Sequence, residues 1–98
     1  MKPSINQIKD KLAKELPEIN ARYKIQSLGL FGSYIKNEQT EKSDLDILVT
    51  FNETPSLFKF LELENYLTDI LNIKVDLVMK NSLKPNIGKR ILDEVEML

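Results

Sequence analysis

Three aspartates and one Gly-Ser step carry the chemical signal of this 98-residue chain. Asp44 and Asp46 stand one residue apart at the head of the apolar run "LDILVTF", and Asp76 lies inside a second run, "IKVDLVM". Strand side chains alternate faces, so Asp44 and Asp46 share one, with Cα atoms about 7 Å apart if extended. Two flexible carboxylates at that spacing can converge on one cation, or on two cations about 4 Å apart. Without a cation the pair repels and resists desolvation. Oxygen ligands in a chain with no histidine and no cysteine favour Mg²⁺ or Mn²⁺. In a chain with 15 acidic residues, Asp-x-Asp by itself equally describes the solvated start of a strand.

Gly32-Ser33 stands where a first strand ends and a short helical turn can begin. Glycine there lets the backbone approach a ligand closely, and free amides at a helix start attract phosphate. The Ser33 hydroxyl adds a donor, although a plain strand-to-helix turn accounts for the same two residues. Asp76 shares its run with Ile73, Val75, Leu77 and Met79 but points to the opposite face, and a carboxylate in an apolar strand needs a partner. Solvent, or Lys74 beside it, is the simple account. Three carboxylates on two neighbouring strands, facing a phosphate-binding turn, form the constellation that two-metal phosphoryl or nucleotidyl transfer requires.

The elements that must position these residues are legible in outline. Ser4 to Gln7 reads as a capping box, and Ile5, Ile8, Leu12 and Leu16 follow at helical spacing. Pro17 is expected to interrupt that helix and open a further turn through about Tyr23. Ile25, Leu28, Leu30 and Phe31 give a first strand ended by Gly32, and "LDILVTF" a second. Thr54-Pro55 is expected to open a helix with the apolar stripe Phe60, Leu63, Leu67, Ile70 and Leu71. "IKVDLVM" is the third strand. Lys84-Pro85 opens a last helix carrying Ile87, Ile91 and Leu92, and "EVEML" reads as a short closing strand. The result is one α/β (α+β) domain over residues 1–98, with a small mixed sheet of three to four strands packed with helices.

Composition removes several function classes. A net charge of -1 gives no global attraction to nucleic acid or to a membrane surface, and no direct nucleic-acid binding is expected. No apolar run is long enough to span a bilayer, and "MKPSINQIKDKLAKE" lacks the apolar core of a signal peptide. A cytoplasmic protein is expected. Without histidine or cysteine, Ser-His-Asp, Cys-His and His-metal chemistry is excluded from this chain, and so is a disulfide.

The stretch "FGSYIKNEQTEKSDLDILV", with the third aspartate on a later strand, resembles the signature of the polymerase-beta-like nucleotidyltransferases. The short length and the series "GLFGSY", "SDLDILV", "VDLV" and "LKP" resemble the minimal nucleotidyltransferases, which are often encoded beside a HEPN-domain toxin as its antitoxin. The resemblance covers nearly the whole chain and is most specific from Gly29 to Val49. It implies the polymerase-beta-like nucleotidyltransferase fold. It implies that Gly32, Ser33, Lys36 and Ser43 serve the nucleotide, that Asp44, Asp46 and Asp76 hold two Mg²⁺ or Mn²⁺ ions, and that Asp76 is also the general base. Members commonly read Ala-Arg-Gly-Glu where this chain has Ile35-Lys36-Asn37-Glu38, so Lys36 keeps a charge but not a guanidinium fork. The activity implied is transfer of AMP from ATP to a Tyr, Ser or Thr hydroxyl of a partner protein, a HEPN toxin, in a hetero-oligomer or beside a homo-oligomer. The competing readings are a weakly active or inactive fold that silences its partner by occlusion, and a small-molecule transferase. The chain's length, with no second domain, counts against the latter.

Overall fold

The computed structural model describes residues 4–32, 34–35 and 44–98. Helix α1 runs Ile5–Tyr23, strand β1 Ile25–Phe31, β2 Leu45–Phe51, helix α2 Leu57–Leu71, β3 Val75–Met79, helix α3 Pro85–Glu94 and β4 Glu96–Met97, with a 3-10 turn over Lys80–Ser82 before α3. The strands form one mixed sheet in the order β3-β2-β1-β4. β1 pairs antiparallel with β2 and β4, and β2 pairs parallel with β3. A mixed four-stranded sheet with helices is the expected class. Among the described residues no helix is long and apolar enough to cross a membrane.

α1 and α2 cover one face of the sheet. Ile8, Leu12, Ile19 and Tyr23 of α1 and Leu63, Leu67 and Leu71 of α2 are buried in one cluster with Leu28, Leu30, Leu45, Ile47, Val49, Val75 and Leu77 from the strands. Burial of this apolar surface is what offsets the entropy of ordering so short a chain. β1 does not alternate strictly, and its register with β2 explains why. Ile25 pairs with Phe51 but Ser27 with Thr50, so a bulge adds one residue to β1. It switches the inward set from Ile25 to Leu28 and Leu30.

Three boundaries differ from expectation. α1 passes straight through Pro17. Pro17 cannot donate to the carbonyl of Ala13, but it is exposed, so water can take that acceptor. Leu12 and Ile19 are seven residues apart, two helical turns, so the buried stripe keeps its face across the proline. α2 begins at Leu57 rather than Pro55 because Ser56 is its cap, accepting from the Lys59 N–H at 3.1 Å. β3 begins at Val75, after Asn72 ends α2 in the left-handed conformation. α3 does start at Pro85 and the Ser4 capping box is present. The apolar set expected on α3 is largely outward: Ile87 and Leu92 are exposed and only Gly88 is buried.

The outer edge of β3 is closed by side chains of α2. The Val75 N–H donates to the Thr68 hydroxyl at 3.1 Å, and the Leu77 N–H to a Glu64 carboxylate oxygen at 2.9 Å. The opposite edge is the two-residue β4, reached by a segment that crosses Gly29 so closely that a Cβ there would lie 2.5 Å from Val95 Cγ2. Lys9 of α1 and Glu96 of β4 form an ion pair that joins this segment to the first helix.

The proline in α1 yields a first expectation. Pro17→Ala supplies the missing N–H on an exposed face and should stabilise the protein by about 1–3 kcal/mol. Urea unfolding measures it, and a destabilised variant would show that the proline is matched to a bend the helix needs.

Candidate active site

The sheet face away from α1 and α2 carries the aspartates. The parallel register sets Asp46 directly beside Asp76, one residue after Leu45 beside Val75. The antiparallel register sets Phe31 on the other side of Asp46. Two carboxylates therefore meet between central strand β2 and edge strand β3, and the buried Phe31 flanks Asp46 on its other side. Asp46 is half-buried and Asp76 exposed. The Asp46 carboxyl is raised from its ordinary range to about 6, first by burial, then by the charges of Asp76 and Asp44, and by the hydrogen bond that protonated Asp46 donates to Asp76.

Asp44 takes a different partner. Lys74 stands beside it across the same parallel pair, and the Lys74 Nζ lies 3.9 Å from Asp44 Oδ2. Both groups are substantially exposed, so the attraction is weak. The sequence suggested Lys74 as a neutralising neighbour for Asp76; the ion pair it forms is with Asp44 instead. Among the described residues no three carboxylates stand together as a ready-made ion cage. The tight pair is Asp46 with Asp76, and Asp44 is near enough for its charge to add to theirs.

Gly32 closes the site from the β1 side. Its φ is +82°, a region that L side chains rarely adopt, and a Cβ there would lie 2.1 Å from Asp46 Oδ2. Glycine is needed for both reasons. The Ile35 N–H donates to the Gly32 carbonyl at 3.1 Å, so the strand passes directly into a tight turn, as the Gly-Ser step suggested. Ser33, Lys36 and Ser43 lie outside the described residues. Tyr34, between Gly32 and Ile35, is buried in the main core and was not singled out from the sequence. Its aromatic ring in a polar stretch stands out in the sequence, but nothing local says which way the ring turns.

The donor set suits a hard divalent cation. Asp46 and Asp76 offer carboxylate oxygens only, and they repel unless a proton or a cation lies between them. Mg²⁺ or Mn²⁺ in place of that proton matches the residues present, with Asp44 as a third ligand if it leaves Lys74.

Comparison with known proteins decides the family. Residues 9–98 match the model of the nucleotidyltransferase domain. The chain belongs to that family. It is 53% identical over 91 residues, 93% of each chain, to a candidate protein adenylyltransferase of Methanocaldococcus jannaschii. It is 48% identical over 92 residues to the protein adenylyltransferase MntA of Thermococcus cleftensis, covering 94% of this chain and 93% of that one. A solved structure of a candidate minimal nucleotidyltransferase superposes with a TM-score of 0.84 at 29% identity, covering 98% of this chain and 97% of that one. A toxin–antitoxin structure with AMP-PNP superposes with a TM-score of 0.69 at 29% identity, covering 94% of this chain and 69% of that one. The fold is that of the nucleotidyltransferases, and this nucleotidyltransferase is an enzyme whose curated relatives are protein adenylyltransferases.

Two expectations follow from the carboxylate pair and its glycine. Because the folded Asp46 holds its proton to about pH 6 against 3.8 for a free carboxyl, this group costs stability progressively as pH rises between those values. Asp46→Asn, in EDTA, should therefore gain stability over the parent as pH rises from 4 to 7, with little gain below 4. An equal difference at pH 4 and pH 7 in urea unfolding would show that the pair is not coupled. Gly32→Ala should abolish the rise in melting temperature produced by Mg-ATP, because its Cβ overlaps Asp46 Oδ2. A parent-like rise in that variant would place the nucleotide elsewhere.

Proposed function

We propose that this nucleotidyltransferase transfers AMP from ATP to a Tyr, Ser or Thr hydroxyl of a separate protein, a HEPN-domain toxin, in a reaction dependent on Mg²⁺ or Mn²⁺. The observation that carries the reading is the Asp46–Asp76 carboxylate pair packed against the Cβ-free backbone of Gly32. A carboxylate pair of this kind is costly to a fold and suits a site that meets a divalent ion with a triphosphate. ATP as donor is supported by the protein adenylyltransferase relatives and by the related toxin–antitoxin structure with AMP-PNP. A toxin as partner is supported by that structure and by the related MntA–HepT toxin–antitoxin complex, at 26% identity. The cytoplasm, where ATP is abundant, is the setting this reaction fits.

In the mechanism, Asp46 and Asp76 would hold the ion with Asp44, and the ion when bound would offset phosphate charge and lower the pKa of the attacking hydroxyl. Gly32 lets the Asp46 carboxylate close against the backbone where β1 ends, and Ser33, Lys36 and Ser43 would contact the phosphate oxygens. The acceptor oxygen attacks the α-phosphorus. The bond from that phosphorus to the bridging oxygen of the β-phosphate breaks, and pyrophosphate leaves. The acceptor proton passes to Asp76, whose exposure on the outer face allows a protein hydroxyl to approach. In this reading Asp46, half-buried beneath the ion, binds it rather than taking the proton.

Asp76→Asn separates catalysis from occlusion. It keeps the shape of the side chain and removes the acceptor for the proton. It should leave partner binding intact while AMP transfer falls by orders of magnitude, read as added mass on a HEPN-domain toxin that the parent protein binds. A parent protein that binds and silences that toxin without adding AMP would show an occluding module instead.

A further inference from the structure

Helix α3 joins the two edges of the sheet. β3 and β4 lie at opposite edges, so the chain from Lys80 to Val95 has to pass β2 and β1. The inner face is taken by α1 and α2, and Leu28 and Leu30 of β1 point to it. The side-chain position of Gly29, between them, faces outward, and Val95 sits against it there. α3 therefore reaches β4 on the face that carries Asp46 and Asp76. The helix buries little on the way: Gly88 is its buried residue, and Leu92 is 45% exposed. Between α3 and the turn over residues 80–84 lies an open groove of about 460 Å³ with Leu83 and Leu92 in its lining. Gly88 lets helix and turn close on each other, since a Cβ there would lie 3.2 Å from Leu83 Cβ.

The groove is basic. Lys80, Lys84 and Lys89 line it, and among the described residues Asp93 is the one acid in the lining. Residues 77–92 hold four cations and no acid, in a chain whose net charge is -1. Elsewhere the cations are mostly matched: Lys9, Lys11, Arg22, Lys24, Lys59 and Lys74 each have a carboxylate within 4.0 Å. The three groove lysines have none among the described residues. Ammonium groups around an aliphatic cleft suit an occupant that brings carboxylates and aliphatic side chains together. A second copy of this chain is a poor match, because Glu15, Glu53, Glu62 and Glu96 are already engaged by its own cations. RNA is a poor match too, because residues 77–98 contain no aromatic ring on which a base could stack. We propose that the acceptor protein docks here. An acidic, aliphatic helix of that protein lies between α3 and the 80–84 turn, with its carboxylates on Lys80, Lys84 and Lys89 and its aliphatic side chains against Leu83 and Leu92. The assignment rests on the reading that AMP goes to a separate protein. Docking in this groove holds the acceptor on the face of Asp76 without using any group that meets the ion or the nucleotide.

Lys80→Glu combined with Lys89→Glu reverses two exposed charges, and the full chain is titrated calorimetrically with a HEPN-domain toxin that the parent binds. Kd should rise about tenfold or more and lose part of its dependence on salt. Leu92→Ser should raise Kd several-fold with a parent-like salt dependence. At saturating toxin the rate of AMP addition should return to that of the parent, because the groove acts on KM rather than kcat. The rise in melting temperature with Mg-ATP should be unchanged. Lys14→Glu, at an exposed lysine of α1, controls for net charge and should leave Kd within about twofold. A parent-like Kd in the double variant would overturn the docking site while the activity reading stands, and so would an equal loss in Lys14→Glu. A lost Mg-ATP response would assign the lysines to the triphosphate instead. Salt-sensitive binding of single-stranded RNA that the double variant loses would make the groove a nucleic-acid surface, and a parent dimer that the variant dissolves would make it a contact between copies. If no HEPN-domain toxin binds the parent, the partner reading fails first and takes this assignment with it.

Discussion

The parallel register between β2 and β3 is the constraint on which the site depends. A strand that carries apolar residues on one face and a carboxylate on the other has an orientation fixed by its buried side. Leu45, Ile47 and Val49 of β2 and Val75 and Leu77 of β3 must all face α1 and α2. With both strands oriented that way, Asp46 and Asp76 have to emerge on the same outer face, and the pairing of Leu45 with Val75 brings them side by side. The hydrophobic core thus sets two like charges together. A slip of one residue in either strand would separate them, but it would also turn the buried set of that strand to solvent.

The same arrangement accounts for the neighbours. Lys74 reaches Asp44 because both precede the aligned pair by the same number of residues. Phe31 flanks Asp46 because the antiparallel register of β1 ends there, and Gly32 follows at the point where the chain must turn away without a side chain. The bulge in β1 contributes at a distance. By adding one residue after Ile25 it sets the register that carries Phe31 to Asp46, while Leu28 and Leu30 still face the helices.

Much of this was legible in the sequence, and the reasons differ from element to element. The strands were read from dense β-branched and aliphatic runs, and the helices from caps and apolar spacing, because both signals are local. Pro17 misled because its local cost is real while the packing that outweighs it, Leu12 and Ile19 on one buried stripe, is tertiary. Ser56 was passed over as a cap in favour of the stronger proline signal one residue earlier. At the site, the three aspartates and Gly32 were visible as residue types, and the structure places Asp46, Asp76 and Gly32 together. Their partners were not visible. Lys74 neighbours Asp76 nearly in sequence, yet side chains two apart on one strand face have less to do with each other than those aligned across two strands. Tyr34 escaped because nothing local says whether a tyrosine in a polar stretch turns inward.

The side-chain closure of β3 has a consequence for assembly. An edge strand with free amides invites another chain to extend the sheet, and many proteins recognise partners in that way. Here Thr68 and Glu64 already occupy the Val75 and Leu77 amides, so a visiting strand would have to displace a hydroxyl and a carboxylate before forming its own ladder. The far edge offers only the two residues of β4. A complex of this molecule would on this account use surfaces and side chains rather than a shared sheet. Such complexes would come apart without unpicking backbone hydrogen bonds, which suits the proposed transfer to a separate protein.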